Sequence, residues 1–78
     1  MENEYDELVP ERDARRELGN VSVMTFWRWD NFPEKAPPGW EAPIKVGSRN
    51  TRSRRMLERV KANLKRAALE RAAAEARP

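Results

Sequence analysis

The nine residues from Val21 to Trp29 (VSVMTFWRW) constrain the fold of this 78-residue chain more than any other segment. They follow a short helix-like stretch that ends at Leu18 and the helix-breaking pair Gly19-Asn20. Glycine suits the left-handed residue that closes a helix, and Ser22 suits the residue that caps the next helix. Two helices joined by a short glycine turn predict a helix-turn-helix, whose second helix commonly enters the major groove of DNA.

The spacing of apolar residues predicts which faces of the two helices meet. Pro10 fits the first position of the first helix, where its missing N–H costs nothing. Ala14 and Leu18 lie four residues apart and would face the core. Phe26 and Trp29 share one face of the second helix, which we expect to pack on those two residues.

A proline-rich loop and a small hairpin follow. Residues 33–43 hold four of the six prolines, and proline both fixes φ and stops the second helix. Ile44-Lys45-Val46 alternates like a half-buried strand, Gly47-Ser48 is a turn signal, and residues 49–52 can form the returning strand.

A long helix is predicted to begin after Ser53, a good N-cap. Neither glycine nor proline occurs from residue 54 to residue 77, and Leu57, Val60 and Leu64 have the spacing of a core-facing stripe. Three regions result, which are an acidic tail (1–7), a folded domain (8–64) and an alanine-rich helical extension (65–78).

Charge is distributed unevenly along the chain. Residues 1–18 carry seven acidic and three basic residues, a net charge of −4, whereas residues 43–66 carry nine basic residues and one acidic residue, a net charge of +8. This asymmetry favours a polyanionic partner for the second half. The alternative is a solvated basic helix without a partner.

The second helix carries the first set of candidate DNA contacts. Arginine can pair with guanine, asparagine with adenine, and apolar groups can contact the thymine methyl. The predicted contacts here are Ser22, Met24, Thr25, Trp27, Arg28 and Asn31. The alternative is that both tryptophans, Trp27 and Trp29, belong to the core.

The hairpin and the start of the last helix carry the second set. Basic and polar residues around one tight turn suit a wing that contacts phosphates or the minor groove, although an ordinary solvated loop is the alternative. Two arginines in the first turn of a helix oppose the helix dipole, which costs free energy. A nearby phosphate would explain their presence. The alternative is that capping by Ser53 offsets the cost. The predicted contacts are Lys45, Arg49, Asn50, Arg52, Arg54 and Arg55.

Several classes of protein are disfavoured. The chain contains no cysteine and no histidine, so disulfides, a thiolate nucleophile and the usual zinc ligands are excluded. No phosphate-binding glycine loop or nucleophile elbow occurs. We therefore expect no enzyme activity, no cofactor and no metal site. Without a secretory signal or an apolar run of about 18 residues, the chain is expected to be cytoplasmic.

Three short motifs carry a resemblance to a known family. Val21-Ser22, Thr25-Phe26-Trp27-Arg28-Trp29 and Pro43-Ile44-Lys45-Val46-Gly47 resemble the small winged helix-turn-helix proteins of the AlpA and excisionase group, which are relatives of the MerR-type DNA-binding domain. The resemblance covers roughly residues 8–64. The loop around Pro37-Pro38-Gly39-Trp40 is longer than the family pattern. Thr51 also replaces an aromatic residue, so Trp40 is predicted to fill that space.

The resemblance implies a mainly α fold with a small β-hairpin, a winged helix-turn-helix with an extended C-terminal helix. It also implies a sequence-specific protein of a phage or mobile element that binds double-stranded DNA in the nucleoid. Such proteins act as excisionases (recombination directionality factors), as transcriptional regulators, or both. A site-specific recombinase (integrase) and further copies of the chain on DNA are the implied partners.

Two alternatives remain open. One is the DNA-recognition domain of a phage terminase small subunit, in which the alanine-rich helix would drive assembly. The other is a protein-interaction module in which Trp27 and Trp40 dock a partner.

Overall fold

Three α-helices, one 3-10 turn and three short strands make up residues 6–76, the part of the chain that this computed structural model describes. In chain order they are β1 (Leu8–Pro10), α1 (Glu11–Glu17), α2 (Val23–Asn31), the 3-10 turn (Pro33–Lys35), β2 (Ile44–Val46), β3 (Arg49–Ser53) and α3 (Arg54–Glu75). The predicted order of helix, turn, helix, hairpin and long helix is confirmed. The result is a small, mostly helical domain with a three-stranded antiparallel sheet and a long C-terminal helix.

The turn between α1 and α2 has the local chemistry that the sequence predicts. Gly19 and Asn20 both adopt left-handed backbone conformations, with φ of 92° and 62°, which glycine and asparagine tolerate best. The Ser22 hydroxyl then caps α2 by accepting the Thr25 amide at 3.1 Å. At the other end α2 stops at Asn31, two residues before Pro33.

Strand β1 is an element that the sequence did not predict. It lies at one edge of the sheet, in the order β1-β3-β2, and pairs antiparallel with β3. Pro10 is therefore the last residue of a strand rather than the first residue of α1. An edge strand tolerates proline because one side of it needs no ladder hydrogen bond.

The register assigns side chains to two faces of the sheet. Val9 lies opposite Arg52 on the inner face, where both are buried. Residues directly opposite in an antiparallel pair share a face, so Ile44 and Val46 lie on the outer face with their partners on β3. Ile44 and Val46 are 40% and 51% exposed, so the expectation of a half-buried β2 is wrong.

The core lies between the inner face of the sheet and the three helices. Its buried apolar members are Val9, Ala14, Phe26, Met56, Leu57 and Val60, with Leu18, Val21, Trp29 and Trp40 packed around them. Ala14, Leu18, Phe26 and Trp29, the residues predicted to face the core from α1 and α2, all belong to this set.

Helix α3 extends well beyond this core. Its 22 residues span about 33 Å, but its buried residues all lie between Met56 and Val60. Leu64, expected in the core, is 42% exposed, because the helix has already passed the edge of the domain. We call residues 64–76 the projecting segment.

Candidate nucleic-acid interface

Helix α2 turns one face to the core and the other to solvent. Phe26 is fully buried, while Met24 is 60% and Trp27 is 51% exposed. Arg28 and Asn31 are exposed on the same side, so the predicted division of the helix into two faces is confirmed. The alternative that Trp27 is a core residue is wrong, whereas Trp29 packs against the core.

Residues missed by the sequence interpretation enlarge this exposed face. Val23 is 55% exposed and stands one helical turn before Trp27, a spacing that could have identified it. The Phe32 ring, 42% exposed, makes an edge contact with Trp27 at a centroid distance of 6.1 Å. The Lys35 ammonium lies 5.6 Å from the centre of that ring. We call this set the α2 surface: Val23, Met24, Trp27, Arg28, Asn31, Phe32 and Lys35.

Three polar side chains of this region make local hydrogen bonds. Ser22 and Thr25 contact each other through their hydroxyls at 3.0 Å, in addition to the N-cap bond. Asn31 donates one amide N–H to the Trp27 carbonyl at 2.8 Å. The other N–H and the oxygen of Asn31 have no partner among residues 6–76. Asn31 therefore retains one donor and one acceptor for a ligand.

The hairpin carries basic residues that no acid of residues 6–76 neutralises. Lys45 and Arg49 are exposed, and neither forms an ion pair with any residue that the structure describes. Arg12, Lys45 and Arg49 are among the residues that line a shallow hollow beside the hairpin. Asn50 is only partly exposed, and its amide oxygen is enclosed without a partner among the described residues. The hairpin thus presents positive charge, while Asn50 is poorly placed to meet a ligand.

Arg52 is not at the surface, which corrects the prediction that it contacts DNA. It is 1% exposed because the register places it on the inner face of the sheet. Its guanidinium donates to Glu11 at 2.8 Å and to both carboxylate oxygens of Asp30 at 2.9 Å. Burial lowers the pKa of Arg52, but the hydrogen bonds to Asp30 and Glu11 raise it more, so the group remains a cation.

Two aromatic rings complete the surroundings of that guanidinium. Its central carbon lies 4.8 Å from the centre of the Phe26 ring and 5.0 Å from that of Trp40. The Trp40 indole also donates to Asp30 at 3.0 Å and makes an edge contact with Trp29. Trp40 therefore lies beside Arg52 on the inner face of the sheet, whereas Thr51 lies opposite Ile44 on the outer face. Trp40 thus does not fill the space at Thr51, which corrects that prediction, and its bond to Asp30 makes it poorly suited to docking a partner.

Acids from the chain itself surround Arg54. Glu17 accepts two hydrogen bonds from it, at 2.6 and 3.1 Å, and Glu7 accepts one at 3.1 Å. The hydrogen bonds to these two acids raise the pKa of Arg54. Glu58, one turn further along α3, adds a contact at 3.3 Å. A phosphate is therefore not needed to explain this arginine, which corrects the interpretation of Arg54 as a DNA contact.

The first turn of α3 is capped by two side chains. Ser53 accepts the Met56 amide at 3.1 Å, as predicted. Asp6 accepts hydrogen bonds from the Ser53 hydroxyl and from the Arg55 amide, and the Ser53 bond is the main reason that its pKa is lowered. Part of the predicted acidic tail is thus bound to the folded domain. Residues 1–5 of that tail, and residues 77–78 of the predicted extension, lie outside the described residues.

The arrangement sorts the basic residues into two groups. Arg52, Arg54, Arg59 and Lys61 are each paired with an acid. Arg28, Lys45 and Arg49 form no ion pair within residues 6–76. These three unpaired cations lie on α2 and the hairpin, two of the places where the sequence predicts DNA contacts. Other basic residues of α1, the 3-10 turn and α3 also form no ion pair within residues 6–76, namely Arg12, Arg15, Arg16, Lys35, Lys65, Arg66 and Arg71.

Residues 6–76 contain neither a candidate metal site nor a candidate membrane-spanning helix. From residue 6 to residue 76 there is no group of three or more acidic side chains that could hold a metal ion. Within the same range no helix combines the length and the apolar character needed to cross a membrane.

The chain matches no protein-family model, no curated protein and no solved structure. The observations that bear on its function are therefore the geometry and the charges of α2 and the hairpin.

Proposed function

We propose that this chain is a winged helix-turn-helix protein that binds double-stranded DNA in a sequence-specific manner. Helix α2 would enter the major groove, and the β2–β3 hairpin would be the wing that contacts the neighbouring backbone. The proposed contacts are Ser22, Met24, Thr25, Trp27, Arg28, Asn31, Lys45, Arg49 and Arg55.

One observation carries this proposal, namely the exposed face of α2. It presents a cation (Arg28), an amide (Asn31) and large apolar groups on one side of a helix that follows a tight turn. The only acid within α2, Asp30, is bound to Arg52 and Trp40 instead. A helix face that lacks negative charge and offers donors suits the edges of bases between two phosphate backbones.

The charge of the hairpin supports the same partner. An ion pair within the protein competes with a phosphate for each basic side chain, and Lys45 and Arg49 have no such pair with a described residue. Neutralising a phosphate releases condensed counterions, so the affinity should fall steeply with salt concentration.

The biological role rests on the resemblance of the sequence motifs to the AlpA and excisionase group. We propose an excisionase, a transcriptional regulator of a phage or mobile element, or a protein that does both. A site-specific recombinase would be the protein partner, and two or more copies would occupy adjacent sites because one copy covers few base pairs. The fold alone does not distinguish these roles.

The test is an anisotropy titration of the full chain against random duplex DNA and fragments that flank its gene, at two salt concentrations. We expect one fragment to bind more tightly than random DNA, with an affinity that falls as salt rises. Binding that is absent, or equally weak on every sequence, would overturn the proposal.

A pair of matched variants identifies the surface. Arg28→Ala should weaken binding to the preferred fragment by about 5- to 150-fold, the value of one arginine–guanine pair. Arg71→Ala removes the same charge from the projecting segment and should bind like the unchanged chain. Equal affinities for the two variants would remove Arg28 from the interface.

The projecting segment favours a second candidate, the DNA-recognition domain of a phage terminase small subunit. Leu64 and Leu69 are 42% and 71% exposed on this segment, and an assembly of several copies would cover them. Light scattering of the protein without DNA separates the two roles. A stable oligomer favours the terminase, and a monomer favours the excisionase or regulator.

A further inference from the structure

The N-terminal half of α2 is more apolar than a phosphate-binding surface requires. Val23, Met24 and Trp27 are each more than half exposed, although they stand in the first two turns of the helix. The side chains of a recognition helix that contact base edges come mainly from its N-terminal part. In this chain those positions carry no charge.

Apolar side chains on a recognition helix have one good partner among the unmodified bases. The edges that bases present in the major groove consist of hydrogen-bond donors and acceptors, except for the C5 methyl group of thymine. An exposed tryptophan or methionine side chain gains no binding free energy from a hydrogen-bond donor of a base that it cannot pair with. Burying a methyl group against the same side chain is favourable.

We propose that α2 recognises thymine, with Met24 and Trp27 packing on thymine C5 methyl groups in the major groove. This inference rests on the proposed DNA binding and specifies which bases are recognised. Arg28 is the polar neighbour on the same face and contacts an adjacent base or phosphate.

The structure favours DNA over a protein as the occupant of this surface. Both charged members of the α2 surface, Arg28 and Lys35, are cations, and Lys35 stacks over Phe32 at the end of the apolar patch. The hairpin of the same domain adds Lys45 and Arg49, unpaired among the described residues. Apolar groups beside these cations are complementary to methyl groups lying between phosphates.

Replacing thymine by deoxyuridine tests the proposal, because it removes the methyl group and keeps every hydrogen-bonding atom. The preferred fragment is first narrowed to its minimal site, and each thymine of that site is replaced singly. We expect at least two positions at which the affinity of the full chain falls about fourfold, the effect of one buried methyl group. The same replacement outside the site should have no effect.

Variants of the protein assign each methyl group to a side chain. In Met24→Ala and in Trp27→Ala, one of the sensitive positions should no longer distinguish thymine from deoxyuridine, because the side chain that contacts its methyl group has been removed. The comparison is a double-mutant cycle between a side chain and a methyl group. Leu69→Ala, also exposed but on the projecting segment, should keep the full sensitivity at all positions. Circular dichroism shows whether each variant is folded. If Trp27→Ala is unfolded, Met24→Ala still tests the proposal, because Met24 is the more exposed of the two side chains.

The outcomes separate this inference from the proposed function. Salt-sensitive, sequence-specific binding that is indifferent to every deoxyuridine would overturn the recognition of thymine and leave DNA binding intact. Equal sensitivity in Met24→Ala, Trp27→Ala and the unchanged chain would also overturn it. A failure to bind DNA at low salt would overturn both proposals and point to a protein as the partner of this apolar surface.

Discussion

The guanidinium of Arg52 donates to both carboxylate oxygens of Asp30, Nη1 to Oδ1 and Nη2 to Oδ2, each at 2.9 Å. This bidentate pair joins strand β3 to helix α2. Glu11, the first residue of α1, accepts a further hydrogen bond from the same guanidinium. One buried cation therefore joins the hairpin to both α1 and α2 and holds the hairpin against α2.

Removing this cation should strongly destabilise the domain. Arg52→Ala leaves two partly buried carboxylates without their partner, and breaking a buried pair in this way costs about 3–5 kcal/mol. That is comparable to the whole free energy of unfolding of many small domains. We expect the variant to be largely unfolded at room temperature by circular dichroism.

Arg59→Ala provides the matched control for the Arg52 variant. It breaks the exposed pair with Glu41, and such surface pairs contribute about 0–1 kcal/mol. If Arg52→Ala and Arg59→Ala melted at similar temperatures, the central role of Arg52 in the fold would be refuted.

The ion pair between Glu17 and Arg54 should make stability depend on acid pH. Hydrogen bonds from Arg54, and to a lesser extent from Lys61, lower the pKa of Glu17 below its ordinary value of 4.5. The unfolded chain then binds this proton at higher pH than the folded chain. The contribution of Glu17 is fully present above pH 4.5 and is lost as the pH falls through the lowered pKa.

Thermal melts of Glu17→Gln and the unchanged chain between pH 7 and pH 3 measure this contribution. We expect the difference in melting temperature to be constant near neutrality and to shrink below about pH 4.5. The pKa values of Asp6 and Glu58 are lowered as well, so both proteins should still lose stability in acid. A difference that stays constant down to pH 3 would contradict the assignment to Glu17.

The unpaired cations of the hairpin should determine part of the salt dependence of DNA binding. If Lys45 and Arg49 each neutralise one phosphate, replacing both by alanine reduces the slope of log K against log salt by about 1.8. Because phosphates carry no sequence information, affinity should fall on preferred and random duplexes alike.

Lys65→Ala combined with Arg71→Ala is the matched control, since it removes two charges from the projecting segment. It should leave the salt slope within experimental error of that of the unchanged chain. A slope equally reduced by the two double variants would mean that only net charge matters and that the hairpin is not a wing.

The projecting segment should contribute little to the stability of the isolated domain. A chain that ends at Arg66 keeps every buried residue of the core, so its free energy of unfolding should lie within about 0.5 kcal/mol of that of the whole chain. Leu57→Ala, by contrast, removes a fully buried side chain and should cost about 2–5 kcal/mol. Urea denaturation of the three proteins compares them directly.

A large loss of stability on truncation at Arg66 would contradict this prediction. Should that loss depend on protein concentration, the segment would be an assembly element, and the terminase candidate would be favoured.

The local features of this protein were determined by its sequence. The left-handed turn at Gly19, the N-caps at Ser22 and Ser53, and the end of α2 before Pro33 each follow from residues a few positions apart. The two faces of α2 follow equally from helical periodicity, so the exposure of Met24, Trp27 and Arg28 was predictable. Whether that face recognises DNA stays a prediction.

Only the tertiary structure decided which cations are available to a ligand. Arg49 and Arg52 belong to the same short strand, yet within residues 6–76 only Arg52 is buried and paired with acids. Those acids lie 22 and 41 residues earlier in the chain. Arg54 is likewise neutralised by Glu17, 37 residues away. Strand β1 is a similar case, because three residues that end in proline form a strand only when β3 pairs with them. Pairings over such distances depend on how the helices and strands pack against one another. A local pattern of residues does not predict that packing.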